Sequence, residues 1–187
     1  LIQLGGEYQF NDNWSAGASI GFDHLTVNAK GIDLHTKGDT VVGGVFIKHT
    51  EGQRELAASL SNMYGSYDTR RVIDLPQSRY TTNSKWQSWL HSLNLHAGYT
   101  FPWQQGYIKP SVDVSLQYQR NPAYKENGAG ALNLNVARQS QWTVMISPQV
   151  EASQTYESGD YLVRPYASLG ASWMSNKNWT SRMQLQG

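Results

Sequence analysis

The stretch that decides the fold is YIKPSVDVSLQY, residues 107–118. Ile108, Pro110, Val112, Val114, Leu116 and Tyr118 take its even positions, and Tyr107, Lys109, Ser111, Asp113, Ser115 and Gln117 its odd ones. Side chains of an extended strand alternate between faces, so this pattern predicts a strand with one apolar and one polar wall. A soluble strand is usually about five or six residues long, whereas a tilted strand that crosses a bilayer needs roughly nine to eleven. Twelve residues of alternation therefore point to an all-β fold, an antiparallel transmembrane β-barrel of outer-membrane type.

The composition agrees with that reading. Only alternate residues of such a barrel meet lipid, so a mean hydropathy of -0.55 and 39% hydrophobic residues are expected. No run of about eighteen apolar residues is present, which excludes a transmembrane helix. A formal net charge of +1 gives no support for nucleic-acid binding. With no Cys there is no disulfide framework, thiolate nucleophile or Cys metal site to consider. Seventeen Gly and 12% aromatic residues suit an all-β chain rich in turns. The opening LIQLGGEYQF already alternates and lacks the basic and apolar regions of a signal peptide, so the chain is expected to begin inside a mature domain.

The same alternation extends outward from residues 107–118. Upstream, Ile2, Leu4, Tyr8 and Phe10 oppose Gln3, Gly5, Glu7 and Gln9; a turn at Asn11-Asp12-Asn13 leads to Trp14, Ala16, Ala18, Ile20 and Phe22 on one face, a hairpin. A third strand over 40–48 is apolar on both faces, and its walls are not assigned. A fourth over 55–64 and a fifth over 86–101 follow. Downstream, a seventh carries Trp142, Val144, Ile146 and Val150 against Thr143, Ser147, Gln149 and Glu151, and an eighth places Val163, Ala167, Leu169 and Trp173 opposite Arg164, Ser168 and Ser172. Connections alternate between short, near 12, 52, 104 and 158, and long, near 32, 75, 129 and 177. Segments 25–39, 66–85 and 120–139 are expected to be long polar loops, the second too long for a hairpin turn. Short turns on one side and long loops on the other, with aromatics gathered at the strand ends, match the two rims of an outer-membrane barrel. A soluble β-sandwich with the aromatics in its core is the competing fold, disfavoured by strand length.

Several of these residues carry a family resemblance. Segments KPSVDVSLQY (109–118) and RPYASLGASW (164–173), the opening LGGEYQFNDNWSAGASIGF and the loop YKENGAGAL (124–132) resemble the translocator barrel of autotransporters (type V secretion). That resemblance implies a single partial domain over 1–187, with about eight of twelve strands present; the pore helix, the first strand and the last strands would lie outside the chain. It further implies a Gram-negative outer-membrane location, a non-enzymatic role anchoring and exporting an N-terminal passenger, and partners in the lipid bilayer, lipopolysaccharide, the barrel-assembly machinery and the chain's own passenger or linker segment. A small barrel adhesin acting through its loops and an outer-membrane hydrolase are the alternatives.

No catalytic, cofactor or metal site is assigned. There is no G-x-S-x-G elbow, H-E-x-x-H or glycine-rich phosphate loop. His91 and His96 are five residues apart and should face opposite walls. Asn178-Trp179-Thr180 matches a glycosylation sequon but is discounted in a bacterial outer membrane. The charged residues expected in the lumen are Glu7, Asp23, Glu55, Lys109, Asp113, Glu151 and Arg164; either they form cross-strand ion pairs in a wet interior or some of them contact a threading polypeptide.

Overall fold

The computed structural model describes residues 2–29, 33–159, 161–176 and 181–186. The sequon at Asn178, Asp160 in the fourth short turn and the connection near 177 lie outside these residues. The strands among them are β1 (Ile2–Gln9), β2 (Trp14–Ala29), β3 (Leu34–Glu51), β4 (Arg54–Leu75), β5 (Ser78–Tyr99), β6 (Phe101–Trp103), β7 (Gly106–Asn121), β8 (Tyr124–Lys125), β9 (Leu134–Val136), β10 (Gln139–Gln154), β11 (Tyr156–Ser158), β12 (Tyr161–Val163), β13 (Tyr166–Gly170), β14 (Trp173–Met174) and β15 (Met183–Leu185).

One antiparallel sheet carries the fold, in the order β1-β2-β3-β4-β5-β7-β10-β13. These eight strands correspond to the eight expected, and β1 and β13 are the two ends of the path. Residues 107–118 lie inside β7, whose pairing with β10 runs without a break from Gly106↔Gln154 to Asn121↔Gln139. Asn11 sets the first hairpin: its Oδ1 accepts the N–H groups of Asn13 and Trp14, at 2.9 and 3.0 Å, the side-chain turn that Asn favours.

The apolar wall has no protein cover. Ile2, Leu4, Ile20, Val45, Leu56, Leu60, Leu95, Val150 and Leu169 are all exposed, and among the described residues Ala129 alone is a buried hydrophobic. A soluble sandwich would bury this wall; a continuous exposed apolar face requires an apolar solvent. Aromatic pairs bound it at both ends. Trp14 packs on His49 at 4.3 Å and Tyr99 on Phe101 at 4.5 Å near the short turns, while Tyr64 meets Trp89 at 4.5 Å and Tyr118 meets Trp142 at 4.7 Å at the opposite rim. From Trp14 to Phe22, at about 3.4 Å per residue and with strands tilted about 40°, the band is about 20 Å tall, close to the roughly 25 Å of outer-membrane barrels.

Two of the expected long loops are strand. β2 and β3 remain paired to Ala29↔Leu34, and β4 and β5 to Leu75↔Ser78, so that Pro76 and Gln77 alone turn the chain. Segments 25–39 and 66–85 are therefore arms that extend the sheet beyond the upper aromatic rim. They look loop-like in sequence because polarity changes walls along them. On β4 the wall of Leu56, Ala58 and Leu60 continues as Ser66, Asp68 and Arg70, and the wall of Ser59 and Ser61 continues as Tyr67, Thr69 and Ile73. Neither wall keeps one character from end to end.

The third expected loop is structured as well. Segment 120–139 contains β8, a single turn of 3-10 helix (Gly130–Leu132) and β9, which pairs with β8 and β15. It docks on β5 where β7 has left it: β5–β7 pairing ends at Trp89↔Arg120, and Asn83 then exchanges two backbone hydrogen bonds with Asn127. Gly128 permits this, since at its φ of +116° a Cβ would lie 2.4 Å from the Thr81 carbonyl oxygen.

The walls of the third strand are now assigned. Val41, Val45 and Ile47 are on the apolar wall, and Val42 and Phe46 on the polar one. Phe46 is there because Gly17, opposite it on β2, has no side chain; a Cβ on Gly17 would lie 2.5 Å from Phe46 Cζ. An aromatic ring covering a cross-strand glycine restores the packing that the glycine gives up.

Candidate functional site: the polar wall and its upper rim

Sheet register brings distant residues onto shared rungs of the polar wall. One rung runs Ser15↔Lys48↔Ala57↔His96↔Asp113↔Ser147. The small residues between the charged ones let long side chains reach across. Ser15 Oγ donates to Glu7 Oε1 at 2.6 Å, and Lys48 Nζ donates to the same carboxylate at 3.1 and 3.2 Å. His96 Nδ1 and Asp113 Oδ1 are 2.7 Å apart. Glu55 and Lys109 are on β4 and β7, on either side of β5. They meet at 2.6 Å across Gly98, whose lack of a side chain leaves the space between them open. Tyr107 Oη donates to Glu151 Oε1 at 2.5 Å.

Of the seven residues expected in the lumen, five fall in this network: Glu7, Glu55, Lys109, Asp113 and Glu151. Asp23 is on the same wall but eight residues farther along β2 than Ser15, opposite Thr40. Arg164 is not in a strand; it lies between β12 and β13 and donates Nε to Thr155 Oγ1 at 3.1 Å. The chain continues past β12 without sheet pairing there, so alternation read through 162–173 does not fix its direction. His91 and His96 face opposite walls, His91 against Asn62 and Tyr118 on the apolar side. Among the described residues, no group of three His, Cys, Asp or Glu side chains could hold a metal ion.

A second cluster, absent from the sequence reading, closes the upper end of this wall. Arg71 donates Nε and Nη2 to the two oxygens of Glu126 at 3.1 and 2.5 Å, and Nη2 also to the Leu132 carbonyl at 3.3 Å. The Leu134 N–H donates to Glu126 Oε2 at 3.0 Å. The Glu126 side chain is 7% exposed. Burial alone would raise its pKa, but the Arg71 hydrogen bonds, the Leu134 N–H, the guanidinium charge and the Thr82 hydroxyl together hold it below the usual 4.5. Beneath this pair Trp86 stacks on Tyr67 at 4.2 Å and, more distantly, on Tyr124 at 6.2 Å. Thr82, Ser84 and Ser88 are buried under the loop. Glu126 is the one acid in segment 120–139; that was the available signal, and spacing gave no hint of an arginine 55 residues away.

With this geometry in place, the relatives can be compared. The sequence profile of the family described as Autotransporter beta-domain matches residues 1–187. Two curated proteins, both named Esterase EstA, from Pseudomonas aeruginosa and Pseudomonas putida, are each 22% identical over 173 residues, which cover 89% of this chain and 26% of theirs. The chain thus spans about a quarter of the length of these relatives. Among solved structures, the translocator domain of the autotransporter NalP from Neisseria meningitidis superposes with a TM-score of 0.68 at 18% identity, over 94% of this chain and 60% of that one. At that identity the likeness bears on the fold.

Proposed function

Because this chain belongs to the autotransporter β-domain family, a family of outer-membrane barrels with an attached passenger, we propose that its polar wall lines the lumen through which that passenger or its linker moves. The wall itself carries the reading. Between the rims Ser15, Gly17, Ser19, Ser59, Ser61, Ser111 and Ser115 surround the few larger groups, Val42, Phe46 and Met145, and charges are held in the cross-strand pairs Glu7–Lys48, Glu55–Lys109 and His96–Asp113. Small hydroxylated residues and neutralised charges leave room for, and make few strong contacts with, an arbitrary polypeptide. An interior of such small groups packs poorly by itself, and voids of this kind persist where water or another segment occupies them.

The barrel is the non-enzymatic part of this proposal. Glu7, Glu55, Asp113 and Glu151 each bind a cross-strand partner, and the curated relatives named as esterases share only 26% of their length with this chain. The barrel-assembly machinery is a partner for a physical reason. Unpaired N–H and C=O groups in hydrocarbon cost several kcal/mol each, so a membrane barrel has to close as it inserts, and that closure has to be guided.

Single cysteines at Ser19, Ser59, Ser115 and Ser168 in the full-length protein test the reading. They should crosslink to a segment upstream of residue 1, and react slowly with a water-soluble maleimide while that segment is in place. Fast reaction at all four with the segment present would mean an open channel and would end the plugged-lumen account.

A further inference from the structure

We propose that the outward face of the β3–β4–β5 arms, just above the upper aromatic rim, binds the phosphate groups of an outer-leaflet lipid; this rests on the outer-membrane barrel reading above. Lys37, Asp68 and Lys85 share one rung, Lys37↔Asp68↔Lys85, and Arg70 is two residues above Asp68 on the same wall. Lys125 of the docked loop lines the same concavity, which has a volume of about 670 Å³ and is floored by Thr69 and Ser84. Four cations thus surround one carboxylate. Among the described residues Lys37, Arg70 and Lys125 make no ion pair, and the Lys85–Asp68 pair is loose, at 3.7 Å between two exposed groups.

Neighbouring cations on these arms are arranged differently. His24 pairs with Asp39 at 2.8 Å, and Arg79 is held by both Asp33 and Asp74 at 3.2 Å. The unbalanced charge is therefore local. Its height names the occupant. Lys85 lies four residues above Trp89 of the aromatic rim, which at about 3.4 Å per residue and about 40° of tilt is about 10 Å. Bilayer headgroup layers are roughly 5–8 Å deep, so the ammonium groups, on flexible stems, reach the level of lipid phosphates. Lys37 and Lys85 are separated by two strand spacings, about 10 Å, wide enough for two phosphates. Arg70 supplies a planar fork for bidentate recognition. A basic cluster directly outside a hydrocarbon boundary attracts anionic lipid.

The test uses the full-length protein in neutral detergent, titrated with a bisphosphorylated lipid A. The Lys37→Gln/Arg70→Gln/Lys85→Gln triple variant, its fold verified by heat-modifiable migration, should bind at least tenfold more weakly than the parent. Arg79→Gln should bind like the parent, and Lys37→Arg/Lys85→Arg should retain affinity. Lipid A stripped of its phosphates should bind the parent and the triple variant equally weakly. Unchanged affinity in the folded triple variant would overturn the proposal. Equal protection of the site by millimolar inorganic phosphate alone would overturn the lipid as its occupant, and neither result bears on the lumen crosslinks that test the translocator reading.

Discussion

Below the upper aromatic rim and above it, the same strands solve opposite problems. On β5 the wall of Leu93, Leu95 and Ala97 meets lipid, while Ser92, Asn94 and His96 line the polar interior. Four residues past Trp89 the outward positions are Lys85 and Asn83, and the inward ones are Trp86, Ser84 and Thr82, covered by loop 120–139. The β4–β5 pairing and the side-chain parity do not change across the boundary; the solvent on the outer side does, and on its other edge β5 exchanges β7 for the docked loop. Strand pairing supplies the frame throughout. The hydrophobic effect then has nothing to drive against in lipid, and packs an inner cluster as soon as water lies outside.

The sharpest way to break this comparison is to place one charge at equivalent outward positions on both sides of the rim. Val114→Arg, in the band, should destabilise the full-length protein by roughly 2–4 kcal/mol in denaturant unfolding from vesicles. Ser66→Arg, on the outward wall of the arm, should change it by less than about 0.5 kcal/mol. Similar costs at the two sites would mean that the rim does not mark the membrane edge.

Next in size is the pair that holds the cover. Glu126→Ala leaves the half-buried Arg71 charge without its partner and the Leu134 N–H without its acceptor, and should cost about 3 kcal/mol of local stability. Hydrogen exchange at Asn83 and Asn127 should rise accordingly, while the amides of 108–116 stay protected. If both regions loosen together, the cover and the barrel are one cooperative unit.

How much of this was legible in the sequence follows from the same inversion. Residues 107–118 could be read directly because lipid and water flank that strand along its whole length. The arms of β4 and β5 could not, since a wall that begins with Leu56 and ends with Arg70 averages to neither character; Val72, Ile73, Tyr80, Thr81 and Thr82, all good strand formers, were the residual signal. β3 was ambiguous because Phe46 occupies space released by Gly17, a fact of register rather than of pattern. The pairs Glu7–Lys48 and Glu55–Lys109 likewise needed the register, and Arg71–Glu126 needed the path of a loop.

A smaller effect separates the two regions by pH. With its pKa held below 4.5 in the fold, Glu126 binds fewer protons folded than unfolded, so its stabilisation is fully present above 4.5 and is lost as pH falls through the folded value. Acidification should therefore expose 124–136 to exchange before the strands of the band open, and Glu126→Gln should remove that pH dependence. Smallest of all, His24→Ala, which removes an exposed pair with Asp39 on the outward arm, should cost well under about 1 kcal/mol.

The most direct measurement is a spin-label scan along residues 79–97 of β5 in the full-length protein in bilayers, reading collision with oxygen dissolved in lipid and with a water-soluble nickel reagent. Positions 91, 93, 95 and 97 should report lipid; 83, 85 and 87 should report water; and 82, 84 and 86 should be shielded from both. Lipid contact persisting on the odd positions up to Asn83, or at even positions below Trp89, would contradict the assignment of the walls and of the rim at which they exchange character.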